Sequence, residues 1–265
     1  MKKSLKIISA LAAVAFMAVS CGVVSFTGRK QILLYSDSEI MALSDESYAE
    51  FMSTAQVSKD AEATKMLVGV GEKMVSALES YMNTHNMSSA LSGLTWEFQL
   101  VESEEVNAFC MPSGKIVFYE GILKYAENPD YIAVVMGHEM AHAIAKHGNE
   151  RMSQESAVNV LGTIATDLIG LKTSESNQRL FKSAFGLGAQ AGLLLPYSRK
   201  HEYEADKIGV YIMQLAGYDI NAAPKFWEKM LEGGSSNAND FFSTHPSDAK
   251  RITALKEVIN DMPEL

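Results

Sequence analysis

The chain has 265 residues, of which 47% are hydrophobic and 21% charged, with 6 prolines. That suffices for one sizeable core or two small ones, and it excludes disordered, collagenous and coiled-coil chains. A formal net charge of −9 argues against nucleic acid as a partner, because a phosphate backbone calls for a basic face. Two cysteines make no disulfide framework, and 15 methionines fit a soft core or adaptable surfaces.

The chain opens on Lys2, Lys3 and Lys6, then an apolar run from Ile7 to Val19, then Cys21. This is the three-part pattern of a secretory signal, short for a membrane span. Ala18-Val19-Ser20-Cys21-Gly22 resembles a bacterial lipobox, with Ala18 where leucine is usual. The resemblance implies that residues 1–20 are a lipoprotein signal peptide and that lipidated Cys21 starts the mature chain. It also implies a membrane held through that anchor, since several acyl chains on one cysteine hold firmly. Gly22 in place of an acid implies the outer membrane of the cell envelope, on its periplasmic side. Cys110 then has no intramolecular partner and is expected to be a packed thiol.

Residues 21–35 read as an exposed, partly extended lead. Ser36-Asp37-Ser38 starts a helix whose face carries Ile40, Leu43, Ser47 and Phe51. A second helix is predicted from Asp60 to Met82, with Met66, Val70, Met74, Leu78 and Tyr81 on one side. Trp96–Val101 alternates apolar and polar like a strand. Asn107–Cys110 and Lys115–Tyr119 flank Pro112-Ser113-Gly114 and read as a hairpin. Glu120–Tyr125 is a short helical piece. From Pro129, which suits a first helical turn, the chain reads as helical almost to its end. Val158–Leu171 and Ala184–Leu195 are read as core helices, and later helices begin near Arg199, Asn221 and Pro246. With no internal linker or repeat over 36–260, the expectation is one α+β domain over 36–265, mainly helical with a small sheet.

His138-Glu139-Met140-Ala141-His142 lies in this helical, apolar stretch. Histidines four apart share one helix face, and both can offer a ring nitrogen to one tetrahedral zinc. Glu139, rotated by about 100°, is aimed not as a ligand but at a water on the metal, whose proton it can take. That is the hydrolytic logic of H-E-x-x-H. His147, about 180° around the same helix from His138, is expected to face away from the metal. The missing third ligand must come from another helix, and His201-Glu202-Tyr203-Glu204-Ala205-Asp206 supplies one. Glu202 can bind the metal, and Asp206, one turn on, can accept a ring N–H from a ligand histidine and fix its tautomer. Glu204, about 200° from Glu202, is expected to point elsewhere.

The H-E-M-A-H helix, the E-Y-E-A-D-K-I-G segment and the later S-T-H-P-S-D-A-K-R-I resemble the HtpX and CAAX-prenyl-protease-related zinc metallopeptidases, in particular periplasmic lipoprotein members. The resemblance spans roughly residues 30–260. It implies a zincin-type fold with one zinc per chain on His138, His142 and Glu202, with Glu139 as general base and Asp206 behind a ligand. It also implies an edge strand beside the cleft, in the segment holding Asn107, Ala108, Phe109, Lys115, Ile116 and Val117, where a substrate can add as a further strand. His245 can donate to a developing oxyanion, occupy the open metal position and hold the enzyme off, or serve as a cap. Arg251 is expected to pair with Asp206 or Glu202. The function implied is a membrane-tethered zinc endopeptidase acting on unfolded or misassembled envelope proteins. The alternative is an outer-membrane assembly factor or chaperone-like holdase that cuts little.

Overall fold

The computed structural model describes residues 21–164, 177, 198–233, 239–246 and 249–263. The signal segment, Ala184–Leu195 and the end of Val158–Leu171 lie outside these. Two short strands, β1 (Cys21–Val23) and β2 (Lys30–Ile32), pair antiparallel. Helix α1 (Asp37–Thr54) starts as its sequence demands: Ser36 accepts from the Glu39 N–H, and the Glu39 carboxylate accepts from the Ser36 N–H, a reciprocal cap. Helix α2 (Ala61–Thr84), capped by Asp60, buries Leu67, Val70, Met74, Leu78 and Met82 along one stripe. A three-stranded sheet follows, of β3 (Glu97–Val101), β4 (Ala108–Cys110) and β5 (Lys115–Tyr119), in the order β3-β5-β4. β5 runs antiparallel to β4, as the hairpin reading expects, and parallel to β3.

Helix α3 (Pro129–Ile144) is the axis of the molecule, with every side chain from Ile132 to Ile144 buried. Asn128 caps it and Pro129 occupies its first turn. It stops one turn earlier than the sequence suggests. Lys146 adopts a left-handed conformation (φ 55°), which ends α3 and lets α4 (His147–Ile164) start in a new direction. Then come α5 (Arg199–Leu215, capped by Ser198), α6 (Ala222–Glu232), α7 (Asn239–Thr244) and α8 (Ala249–Asn260). Helix α7 is absent from the sequence reading, and Pro246 lies ahead of α8 rather than within it. The architecture is the expected α+β zincin type, mainly helical with small sheets.

Helices α3 and α5 touch backbone to backbone. A Cβ on Gly209 would sit 2.9 Å from Gly137 C and from His138 N, and one on Gly137 would sit 2.8 Å from Gly209 O. Neither neighbour is a side chain that can turn aside. Gly209→Ala is therefore expected to separate the helices, costing about 1–3 kcal/mol as overpacking does and weakening metal retention together with the melting temperature. Unchanged values of both would refute this reading of the crossing.

The lead is exposed only in part, with Val23 and Ile32 open to solvent. Val24 and Gln31 are buried, and the hairpin bonds to α4, with Leu34 N–H donating to Ser153 Oγ at 2.8 Å and Asn149 Nδ2 donating to Tyr35 O at 3.0 Å. A polar, Gly-containing segment gave no periodic signal for this docking. Among the described residues no helix is long and apolar enough to cross a membrane.

Candidate metal centre

His138 and His142 project from successive turns of α3, and Glu202 meets them from the first turn of α5. The Nε2 atoms of the two histidines are 3.1 Å apart. Glu202 places Oε2 3.3 Å from His138 Nε2 and Oε1 3.4 Å from His142 Nε2. His245 adds Nδ1, at 3.2 Å from His138 Nε2 and 3.3 Å from Glu202 Oε1. All four residues are buried, and their donor atoms lie within 4.8 Å of one another. A tetrahedral zinc with bonds of about 2.0–2.1 Å spaces its donors about 3.3–3.4 Å apart. The observed spacings fit that edge. Moreover, Glu202 Oε1 is buried and accepts no hydrogen bond from the described residues, the situation of an oxygen built for a cation.

The electrostatics favour the same occupant. Burial holds the His142 imidazole well below its ordinary range, even against Glu202, so its neutral, metal-binding form prevails. Burial alone would raise Glu202, but His245, Arg251 and His138 overcome it and keep the carboxylate ionised. Against burial, Glu202 and Asp206 raise His138 to about 9, so a proton competes with a metal for this site. Behind His138, Asp206 Oδ1 accepts from Nδ1 at 2.9 Å. Arg251 grips Asp206 through Nε at 2.5 Å and Nη2 at 2.8 Å, and places Nη1 2.8 Å from Glu202 Oε2. Arg251 thus meets both acids named for it.

Glu139 is held differently. Its Oε2 accepts the Cys110 N–H at 3.1 Å, whereas Oε1 is buried with no hydrogen bond among the described residues, 3.5 Å from His245 Nε2. Burial raises its pKa, opposed by His245 and His138. Cys110 is the buried thiol expected, and burial raises it well above the ordinary range.

Two expectations need correction. His147 does not turn from the site, because the break at Lys146 removes the single-helix geometry; its Nδ1 lies 2.9 Å from His142 Nδ1. Glu204 points away from the ligand atoms, as expected, and its Oε2 takes His147 Nε2 at 2.9 Å. Lys115, Ile116 and Val117 have no free edge, because β5 is the central strand, paired on both sides. The edge is β4. Met111 N–H donates to Lys115 O and Tyr119 N–H to Asn107 O, so the backbone of Asn107, Phe109 and Met111 faces β5 while that of Ala108 and Cys110 faces outward.

Sequence reading also missed an aromatic stack. Trp227 lies under Phe241 at 5.5 Å, and Phe241 under His245 at 4.5 Å, while the Arg251 guanidinium sits 4.5 Å from the Trp227 ring centre. No spacing rule links residues from α6, α7 and α8, so only folding reveals it.

Residues 70–259 match peptidase family M48. The chain belongs to that family. Its domain is therefore a metalloprotease with zinc as the metal. Among curated relatives it is similar to the mitochondrial metalloendopeptidase OMA1 of Schizosaccharomyces pombe, 39% identical over 171 residues, which is 64% of this chain and 48% of the relative. It is similar to the mitochondrial metalloendopeptidase OMA1 of Homo sapiens, 28% identical over 251 residues, 93% of this chain and 47% of the relative. It is also similar to the β-barrel assembly-enhancing protease of Escherichia coli K12, 24% identical over 227 residues, 84% of this chain and 44% of the relative. The chain spans about half the length of these relatives. The expected place at the outer membrane is overturned: several relatives at higher identity are mitochondrial, which does not fit an outer-membrane lipoprotein.

The hydrogen-bonded acids around the centre carry a pH prediction. Burial would raise Glu150, but hydrogen bonds from His201 and Arg29 hold it down at about 2. A carboxylate so depressed contributes stability that is full above its unfolded value and lost as pH falls through its folded one. Glu150→Gln is therefore expected to lower the melting temperature by about 4 °C at pH 7, by a margin that narrows toward pH 3. Measuring both proteins in chelator keeps metal release out of the comparison, and a margin that widens in acid would contradict the pairing.

Proposed function

We propose that this chain is an endopeptidase for unfolded or misassembled polypeptides, including those of the cell envelope, with residues 36–265 as its metallopeptidase domain. Within the family we place it beside the HtpX and CAAX-prenyl-protease relatives, on the motifs alone. The relatives, a metalloendopeptidase and an assembly-enhancing protease, support the reading. The observation that carries it is the asymmetric hold on Glu139, one oxygen tied to the Cys110 N–H and the other left unbonded beside the ligand atoms.

In this reading His138, His142 and Glu202 hold the zinc, which supplies a Lewis acid and an acidified water when bound. Glu139 takes the water's proton on Oε1 and passes it to the leaving amine, its orientation kept by the strand N–H on Oε2. Asp206 fixes His138 with its proton on Nδ1, and Arg251 fixes Asp206. The carbonyls of Ala108 and Cys110 on the β4 edge accept from substrate N–H groups, which reads backbone rather than sequence and suits unfolded clients. Asn107 Oδ1 covers the Ala108 N–H at 2.9 Å, so the edge offers mainly acceptors.

One observation favours the holdase as a second reading: His245 sits where a fourth ligand sits and faces Glu139, closing the centre. If cutting is its main role, His245→Ala is expected to cut unfolded casein at least about tenfold faster than wild type, by freeing a position that an open catalytic zinc requires. If neither protein cuts casein while both keep it from aggregating, the holdase reading replaces the protease. Acylation of Cys21 remains a separate proposal with no compartment attached; intact mass of the purified chain and of Cys21→Ser decides it.

A further inference from the structure

Behind His142 lies a buried network that the proposed chemistry does not use. Thr27 Oγ1 donates to Glu204 Oε1, and Arg29 Nε donates to Glu204 Oε2 at 2.5 Å. The remaining Arg29 nitrogens grip Glu150 in a fork, Nη1 to Oε1 at 2.9 Å and Nη2 to Oε2 at 2.7 Å. Each carboxylate holds one histidine: Glu204 takes His147 Nε2 at 2.9 Å, and Glu150 takes His201 Nε2 at 3.0 Å. The two imidazoles stack at 4.5 Å with their planes 23° apart. His147 then presents Nδ1 to His142 Nδ1 at 2.9 Å.

We propose that Arg29 and Thr27 of the N-terminal hairpin are positioning residues of the metal centre, acting through Glu204 and His147 to set which nitrogen of His142 is bare toward the zinc. The inference rests on His142 being a ligand. The proton order follows from chemistry. Two ring nitrogens 2.9 Å apart share one proton. If His147 donated it, its own Nε2 would be bare against the Glu204 carboxylate, an unfavourable meeting of two acceptors, and the His142 proton would move to Nε2, where the metal belongs. With Glu204 Oε2 as the acceptor at 2.9 Å, His147 carries its proton on Nε2 and accepts on Nδ1. His142 then donates from Nδ1 and keeps the Nε2 lone pair for the metal. Arg29 and Thr27 hold the Glu204 carboxylate in place, and the Arg29–Glu150–His201 arm clamps the plane of the His147 ring. The hairpin is therefore a working part of the site, reaching His142 through two side chains.

The test uses the purified full chain loaded with zinc. Competition against a chromophoric chelator gives the zinc Kd, and nitrogen-15 imidazole spectra give the tautomers. Arg29→Gln and Glu204→Ala are expected to raise Kd about tenfold, as loss of an outer hydrogen-bond partner does. Tyr35→Phe, which alters the hairpin's hold on Ser156 away from Glu204, is expected to leave Kd within about twofold. In wild type, His147 is expected to carry its proton on Nε2. A folded Arg29→Gln protein with wild-type Kd, or a wild-type His147 protonated on Nδ1, overturns the proposal. If Arg29→Gln does not fold, the wild-type tautomer decides alone. His142→Ala tests the underlying reading separately: zinc retained there removes the ligand assignment, whatever Arg29 does.

Discussion

Glu139→Gln is expected to leave zinc binding intact and to lower the rate of peptide hydrolysis by about 10²–10⁴-fold, the usual contribution of a positioned general base. The substitution is nearly isosteric. The amide oxygen can still accept the Cys110 N–H, so the strand stays registered on the helix. What is lost is the capacity to hold a proton. The variant separates two roles that a buried carboxylate can play here, since a purely structural Glu139 is replaced by glutamine at little cost. Zinc content and casein cleavage measured on the same preparation decide the matter. Retention of more than a tenth of the wild-type rate would remove Glu139 from the chemistry.

Glu202→Ala is expected to remove stoichiometric zinc and with it all hydrolysis. The loss should exceed the roughly 10–100-fold weakening that follows removal of an outer partner, because here a donor atom itself disappears. Glu202 has no burial-compatible role apart from a cation or Arg251, and Oε1 accepts no hydrogen bond among the described residues. The fold is expected to survive, since Arg251 keeps its two bonds to Asp206. Metal analysis beside circular dichroism tests both halves. A folded variant that keeps one zinc per chain would break the ligand set and require another residue in its place.

How much of this was legible in sequence depended on the range of the signal. The reciprocal cap at Ser36 and Glu39, the Asn128-Pro129 start and the Ser198 cap are local, so the predicted helix starts agree with the structure. The pairing of Glu202 with H-E-x-x-H needed no distance information, only the requirement for a third ligand. What failed was whatever depended on a break or on a remote contact. A lysine carries no sign that it will go left-handed, so His147 was assigned by extending a helix that ends at Ile144. The strand order β3-β5-β4 was likewise hidden, because alternation gives a strand's faces but not its neighbours, and so Lys115–Val117 seemed as free as Asn107–Phe109. Arg29 gave no signal in the sequence, because its partners lie more than a hundred residues away.

The glycine crossing of α3 and α5 has a bearing on ion choice. Peptide planes in contact do not yield as rotamers do, so the width of the nest between His138 and Glu202 is gauged by covalent backbone dimensions. Larger ions such as calcium, with bonds of about 2.3–2.6 Å and a taste for six to eight oxygens, would have to pry two helices apart to enter. On that reading, discrimination by ionic radius would be set at Gly137 and Gly209, two positions outside the ligand set.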